Sequence, residues 1–378
     1  MYIKRYLEKQ IEKRLFKGKV IIIYGARQVG KTTLVKNLLE KYQGKVKTLY
    51  LNCEALSVRD NLKIPEPVRL KSYFGDVELI VMDEAQKIEN IGLILKLLVD
   101  TYPEIQIIAT GSSSFEINSK MNEPLTGRVD KFILYPLSIE EININQNKFE
   151  IDAKLDKIIR YGLYPETYSL PEKLAALRLD EISSDYLSKD ILNFEGIKKS
   201  KIIKNLLQLL ALQLGGTVSY YELATQLGIS RLTVQKYIDI LEQAFIIFTL
   251  RAFSRNLRKE ISKSVKIYFY DIGIRNSLIQ NYNPINLRTD IGSLWENFCL
   301  LERLKHNHSR QILANYYFWR TYDQKEIDLI EEKQGRFDLF EFKWKSEKAK
   351  IPQDFIETYK KSNYHLINKS NYWDLLKD

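Results

Sequence analysis

"KVIIIYGARQVGKTTLVKNLLEKY", Lys19 to Tyr42, decides the reading of the first half of the chain. Val20 to Ile23 is a β-branched run of the kind that fills a buried parallel strand. It leads into Gly25-Ala26-Arg27-Gln28-Val29-Gly30-Lys31-Thr32, a full GxxxxGK[ST] match, followed by Thr33 and a helical pattern through Leu34, Leu38 and Leu39. The residue types have separate physical tasks. Glycine permits a tight loop whose N–H groups converge on phosphate oxygens, and the helix N-terminus adds positive potential. Lys31 can reach the β- and γ-phosphates, and the Thr32 hydroxyl can ligate Mg²⁺. Residues 25–33 are therefore expected to hold ATP, with Lys31 also acting in catalysis.

Such a loop needs a second strand that ends in acid. "VELIVMDEAQ" provides Leu79 to Met82, then Asp83 to hold the metal through water and Glu84 to orient and deprotonate the attacking water. Alone, an apolar run ending in Asp-Glu is commonly structural; behind a P-loop it points to hydrolysis. "EIQIIATGSSS" predicts a third strand ending in Thr110-Gly111-Ser112, where Ser112 either senses the γ-phosphate or simply ends the strand. In "EPLTGRVDKFILYPLSIEE", Arg128 precedes a strand over Phe132 to Tyr135. It is either a surface arginine or one that stabilises transition-state charge on a neighbouring copy, which implies a homo-oligomer.

"GARQVGKTTL", "LIVMDEAQ", "ATGSSS" and "LTGRVDKFILYPLSIEE" together resemble the AAA+ ATPases of a widespread prokaryotic group. In that group the ATPase precedes a C-terminal domain of unknown function. "YGLYPETY" (Tyr161–Tyr168) resembles the group's Gly-aromatic-Pro-Glu signature, and "YFYDIGIRNSL" and "GSLWENFCLLERL" resemble signatures of the C-terminal domain. The match runs nearly end to end. It implies an ATPase and sharpens the architecture more than the biology.

Residues 153–214 read as helices from apolar spacings of three and four, and resemble the helical lid of AAA+ proteins. Lys198, Lys199, Lys201 and Lys204 read as a solvated helix end rather than a phosphate contact. "GGTVSYYELATQLGISRLTVQKYIDILEQAFIIFTLRAFSR" reads as a helix-turn-helix. Leu223, Ala224 and Leu227 line the first helix, Gly228-Ile229 make the turn, Ser230 caps, and Leu232, Val234, Ile238 and Leu241 pack the second. Phe245–Leu250 and Val265–Tyr270 supply two wing strands. Arg231, Thr233, Gln235 and Lys236 are placed to meet phosphates or base edges, and Arg255, Arg258, Lys259 and Lys263 populate the wing loop. The plain alternative is an intramolecular hinge or a protein contact.

From about Asn286 the predicted order is α-β-β-β-α-β: a helix over Ile291–Lys305, strands at 312–320, 326–332 and 336–345, a helix over Pro352–Lys360, and the strand "YHLINK". The order resembles the core of PD-(D/E)xK nucleases. Period-two alternation puts Leu339, Glu341 and Lys343 on one strand face, and a hairpin brings Asp328 beside Glu341. Two carboxylates there would bind Mg²⁺, with Lys343 positioning the water or neutralising the phosphate. The motif position adds Glu296 as a third acid, while the helical wheel favours Glu302. The fold present but catalytically idle is the alternative to a cutting site.

The 378 residues suggest two to three domains, and 45% hydrophobic content suffices for real cores. Lys and Arg outnumber Asp and Glu by 58 to 48, a formal +10 that favours an anionic partner, nucleic acid before membrane. Cys53 and Cys299, in no CxxC spacing, exclude a zinc or disulfide framework and suit a reducing compartment. With neither a secretory signal nor a membrane-length apolar run, a cytoplasmic protein is expected.

The expected fold is α/β and multidomain. A P-loop AAA+ core occupies 1–150, a helical lid 151–215, a winged helix-turn-helix 216–285 and a restriction-endonuclease-like domain 286–378. The expected activity is ATP hydrolysis on DNA, with a possible Mg²⁺-dependent nuclease site. Its rival is a nucleotide-controlled switch whose winged helix and C-terminal fold dock protein partners.

Overall fold

β1 (Val20–Tyr24) is buried at every residue because it is an interior strand of a five-stranded parallel sheet. The computed structural model describes residues 2–112, 125–185, 200–254, 265–321 and 325–377. With β2 (Thr48–Asn52), β3 (Leu79–Asp83), β4 (Gln106–Gly111) and β5 (Val129–Ile133), the order across the sheet is β2-β3-β4-β1-β5. Ile21 pairs with Ile108 and Ile22 with Ala109, while Val81 pairs with Ile108 on the other side of β4. Parallel pairing requires crossovers. The helices Lys31–Tyr42, Pro67–Phe74 and Ile91–Thr101 lie between the strands in sequence and bury apolar stripes such as Leu34, Val35 and Leu38. Inserting β4 between β1 and β3 sets its C-terminal residues, Thr110 to Ser112, between the phosphate loop and the acidic pair.

Residues 1–137, with Gln243–Phe245, form one compact unit; residues 138–242 and 246–378 form the other. The three expected domain borders, after 150, 215 and 285, all fall inside the second unit. There, helices Leu155–Tyr161 and Glu172–Asp185 pack on the helix Ile272–Leu278. Asp271, buried at the N-cap of that last helix, accepts hydrogen bonds from the Leu163 N–H (2.7 Å) and the Ile274 N–H (3.2 Å). This anchors the "YGLYPETY" loop, and Gly162 is required there because a Cβ would come within 2.0 Å of the Asp271 carboxylate.

The helices Tyr220–Leu227 and Arg231–Gln243 meet at Gly228, which takes a left-handed φ of 63°. The Ser230 hydroxyl accepts the Thr233 N–H at 3.1 Å. Leu232, expected in the packed stripe, is instead 77% exposed. The buried stripe is Val234, Tyr237, Ile238 and Leu241, and two residues of offset turn Leu232 about 200° away from Val234. Lys201 and Lys204 are exposed, as a solvated helix end requires; Lys198 and Lys199 lie outside the described residues.

The second sheet is mixed, in the order β12-β11-β10-β9-β7-β8-β6. Its strands are β6 (Thr217–Val218), β7 (Ile247–Ala252), β8 (Val265–Phe269), β9 (Asn315–Arg320), β10 (Glu326–Lys333), β11 (Arg336–Phe342) and β12 (Ser362–Ile367). With the helices Ile291–Ser309 and Gln353–Thr358, its C-terminal part follows the α-β-β-β-α-β order. β10 and β11 form a hairpin across Gln334 and Gly335, both at positive φ as a two-residue hairpin turn demands. The two strands expected as a wing do not stand apart: β7 pairs in parallel with β9, Arg251 opposite Tyr317 and Ala252 opposite Phe318.

Candidate functional site

The phosphate loop is shaped by its glycines. Gly25 has φ 152°, and a Cβ there would lie 2.3 Å from the Leu134 carbonyl oxygen. Gly30 caps the helix with φ 99°, and Gln28 also holds a left-handed φ of 59°. Lys31 is buried, and its ammonium donates to the Gly25 and Ala26 carbonyls at 2.7 and 2.9 Å. Arg27 and Gln28 are half-buried, Val29 is buried and Thr33 is exposed at the first helical turn.

Around this loop the structure gathers three strand ends. The Thr32 hydroxyl donates to Asp83 Oδ2 at 2.7 Å, as does the Tyr50 hydroxyl, also at 2.7 Å. Thr110 donates to Asp83 Oδ1 and accepts the Glu84 N–H at 3.1 Å. Burial first, and then the Asp83 charge, holds the Tyr50 phenol protonated well above its usual range. Glu84 follows the strand end in a left-handed conformation, φ 55°. The Gln86 amide donates to the Glu84 carboxylate and also to Ser112 Oγ at 3.1 Å. Buried Arg5 donates to the Val29 carbonyl at 2.9 Å and to the Tyr135 carbonyl at 2.6 Å, bracing the loop against the end of β5.

Arg5, Tyr50 and Gln86 are missed by the sequence reading. Gln86 had a weak signal, a polar side chain two residues past Glu84; Arg5 and Tyr50 had none. Thr32 and Asp83 supply hard oxygen donors side by side, a set that fits Mg²⁺, which keeps most of its waters. Arg128 lies on the surface of the same unit and pairs with exposed Asp100 at 2.6 Å.

The C-terminal residues also converge, but on a different chemistry. Leu329 faces Phe340 in the β10–β11 register, which sets Asp328 next to Glu341. A bulge between Ile327 and Ile330 re-aims Asp328, whose Oδ2 accepts the Phe342 N–H at 2.8 Å. Glu296 joins from the helix Ile291–Ser309, its Oε1 accepting from the Tyr268 hydroxyl at 2.5 Å and from the Lys266 ammonium at 2.9 Å. Lys266 Nζ also stands 2.6 Å from Glu326 and 4.0 Å from Asp328. Lys343, one residue past the end of β11, pairs with Glu341 at 2.6 Å.

Burial, reinforced by the Asp328 charge, pushes the Glu296 carboxyl up to about 7 against the pull of Lys266 and Tyr268. Burial likewise raises Asp328, opposed by Lys266. Glu302, the rival to Glu296, is directed elsewhere: it pairs with Lys305 at 2.9 Å and accepts the Ile139 N–H at 2.8 Å.

Asp328, Glu341 and Glu296 thus come near one another, as the sequence reading expects, with lysines among them. Among the described residues no group of His, Cys, Asp and Glu is arranged to hold a metal ion. Glu296 pairs with Lys266 and Glu341 with Lys343, while Asp328 Oδ2 accepts a backbone N–H. Of the expected DNA contacts, Arg231, Gln235 and Lys236 are exposed and Thr233 is half-exposed, while Arg255 and Arg258 lie outside the described residues. Among the described residues no helix is long and apolar enough to cross a membrane.

Residues 17–143 match the model of an AAA domain, residues 152–284 a domain of unknown function (DUF8612) and residues 291–372 another (DUF4143). The first match, the P-loop and the parallel sheet together make the N-terminal unit an AAA-type P-loop domain. The chain is similar to an uncharacterized protein of Mycobacterium tuberculosis, 27% identical over 339 residues, covering 88% of this chain and 72% of that one. An uncharacterized protein of Haemophilus influenzae is 24% identical over 329 residues, 82% of this chain and 79% of its own. AMPPCP-bound DnaA from Aquifex aeolicus aligns over 63% of this chain and 86% of its own at 18% identity, with a TM-score of 0.29.

Proposed function

We propose that the chain binds and hydrolyses ATP in its N-terminal unit and acts on DNA through its second unit. The observation that carries the ATPase reading is the gathering of Lys31, Thr32, Asp83, Glu84 and Ser112 around one phosphate-shaped loop. Lys31 and the loop N–H groups would hold the phosphates, and Thr32 and Asp83 would hold Mg²⁺, which would neutralise developing phosphate charge. Glu84 orients the attacking water and takes its proton, and Gln86 fixes the Glu84 carboxylate against Ser112. Arg128, on the surface, is proposed to serve the site of a neighbouring copy. Turnover per chain should then rise with protein concentration, and lose that rise in Arg128→Ala; concentration-independent turnover in the wild type removes the assembly.

For DNA the support is the exposed Arg231, Gln235 and Lys236 on one helix, together with the chain's surplus of 10 positive charges. Affinity for duplex or single strands should fall steeply with salt. Arg231→Ala and Lys236→Ala should each reduce the log–log salt slope by about one. Negligible binding at low salt would favour the protein-docking switch, to which exposed Tyr221 and Leu232 on the same helix pair lend an apolar surface. The Lys266 ammonium paired with Glu296 weighs against phosphodiester cleavage by the second unit.

A further inference from the structure

We propose that Lys266 is the resident cation of the C-terminal carboxylate cluster, its ammonium standing among Glu296, Glu326 and Asp328 and neutralising acids that the expected divalent ion would need, so that this fold holds no metal and does not cut. Three features carry this. Lys266 is 2% exposed and projects from β8, outside the α-β-β-β-α-β core, to reach Glu296, Glu326 and Asp328 at 2.9, 2.6 and 4.0 Å. One oxygen of each carboxylate is already engaged: Glu296 Oε1 by Lys266 and Tyr268, Asp328 Oδ2 by the Phe342 N–H, and Glu341 Oε1 by Lys343.

The third feature is the sheet itself. The parallel β7–β9 pair makes the strand that carries Lys266 part of the same sheet as Asp328 and Glu341, so the ammonium is delivered by the fold rather than by a loop free to withdraw. A buried ammonium in permanent contact with carboxylates neutralises them without metal, whereas the same carboxylates left alone would bind a cation or a proton.

Lys266 sits in "VKIYF", a charged residue in an otherwise apolar strand, and that is the sequence signal of its task. Arg320, 3.9 Å from Glu326, adds positive charge at the exposed rim of the cluster.

The test uses the whole 378-residue chain without nucleotide, titrated with Mn²⁺ and followed by the electron paramagnetic resonance of free Mn²⁺. The proposal expects the same isotherm for wild type and for Glu296→Gln and Asp328→Asn. A Mn²⁺ site in the wild type that weakens by more than about tenfold in either variant overturns it. Lys266→Met provides the second arm. Its melting temperature should fall below that of the wild type, and millimolar Mn²⁺ should raise it while leaving the wild type unmoved, because the vacated carboxylates now accept a divalent ion. A Lys266→Met protein that melts like the wild type with and without Mn²⁺ also overturns the proposal. If that variant fails to fold, the first arm decides alone. Neither arm involves ATP, so failure here and failure of the ATPase reading are separate results.

Discussion

Glu84→Gln should bind ATP with wild-type affinity and hydrolyse it about 10²–10⁴-fold more slowly. Glutamine has the size of glutamate and keeps an oxygen to accept from Gln86, so the site's shape survives. What is lost is the group that takes the proton of the attacking water. The position is well prepared for that task. Glu84 directly follows β3, in a left-handed backbone conformation of φ 55°, with its N–H held by Thr110 and its carboxylate by Gln86. Thr110 touches both Asp83 and Glu84, so a shift of β4 moves both acids together. Single-turnover hydrolysis with tightly bound nucleotide separates the two effects. Unchanged turnover in Glu84→Gln would mean that the proton leaves by another route.

Arg303→Ala should destabilise the second unit by about 3–5 kcal/mol. The guanidinium makes a two-pronged pair with buried Glu331, at 2.8 and 2.9 Å, and donates to the Leu375 and Lys377 carbonyls at 2.7 and 2.8 Å. It thereby ties the helix Ile291–Ser309 to β10 and to the chain's last turn. Truncation leaves Glu331 buried beside Asn307 and Lys333 only, and Arg303→Lys cannot reproduce the fork.

Burial acts to raise Glu331, but the hydrogen bonds and charge of Arg303 win and hold it below the usual glutamate range. Its folded-state value is depressed. The pair's contribution is therefore present above the unfolded value near 4.5 and fades as pH falls through the lower folded one. All four tryptophans, at 295, 319, 344 and 373, belong to the second unit, so a urea titration followed by tryptophan fluorescence reads this unit's stability. A midpoint unchanged in Arg303→Ala would show that the pair contributes nothing net. Arg128 and Asp100 offer the contrast, an exposed pair that solvent screens.

The phosphate loop was legible in the sequence because its chemistry is local. Gly25, Gly30, Lys31 and Thr32 act through a backbone turn that the residues themselves impose. The hairpin was legible for the same reason: a two-residue turn at Gln334–Gly335 sets Asp328 beside Glu341. What joins distant segments was not legible. The parallel pairing of β7 with β9 has a register of only two residue pairs, and no periodicity announces it. Missing that pairing, the sequence reading treats β7 and β8 as a separate wing and overlooks Lys266, without which the carboxylates look like a metal site. Arg5 and Tyr50 escape similarly, since a lone arginine near the start of the chain and a tyrosine in β2 gain their roles only when the sheet forms. Leu232 shows the opposite error, an apolar residue assigned to a stripe that its helical angle excludes.

The central claim is that the N-terminal unit holds ATP on Lys31 and the loop around it. The most direct measurement is equilibrium binding of ATP with Mg²⁺ to wild type and to Lys31→Ala, with circular dichroism confirming that both fold. The account predicts saturable binding by the wild type and affinity lower by roughly 10²-fold in the variant, the loss of a charged hydrogen bond to phosphate. Equal affinity in the two proteins, or no binding by the wild type, would contradict it.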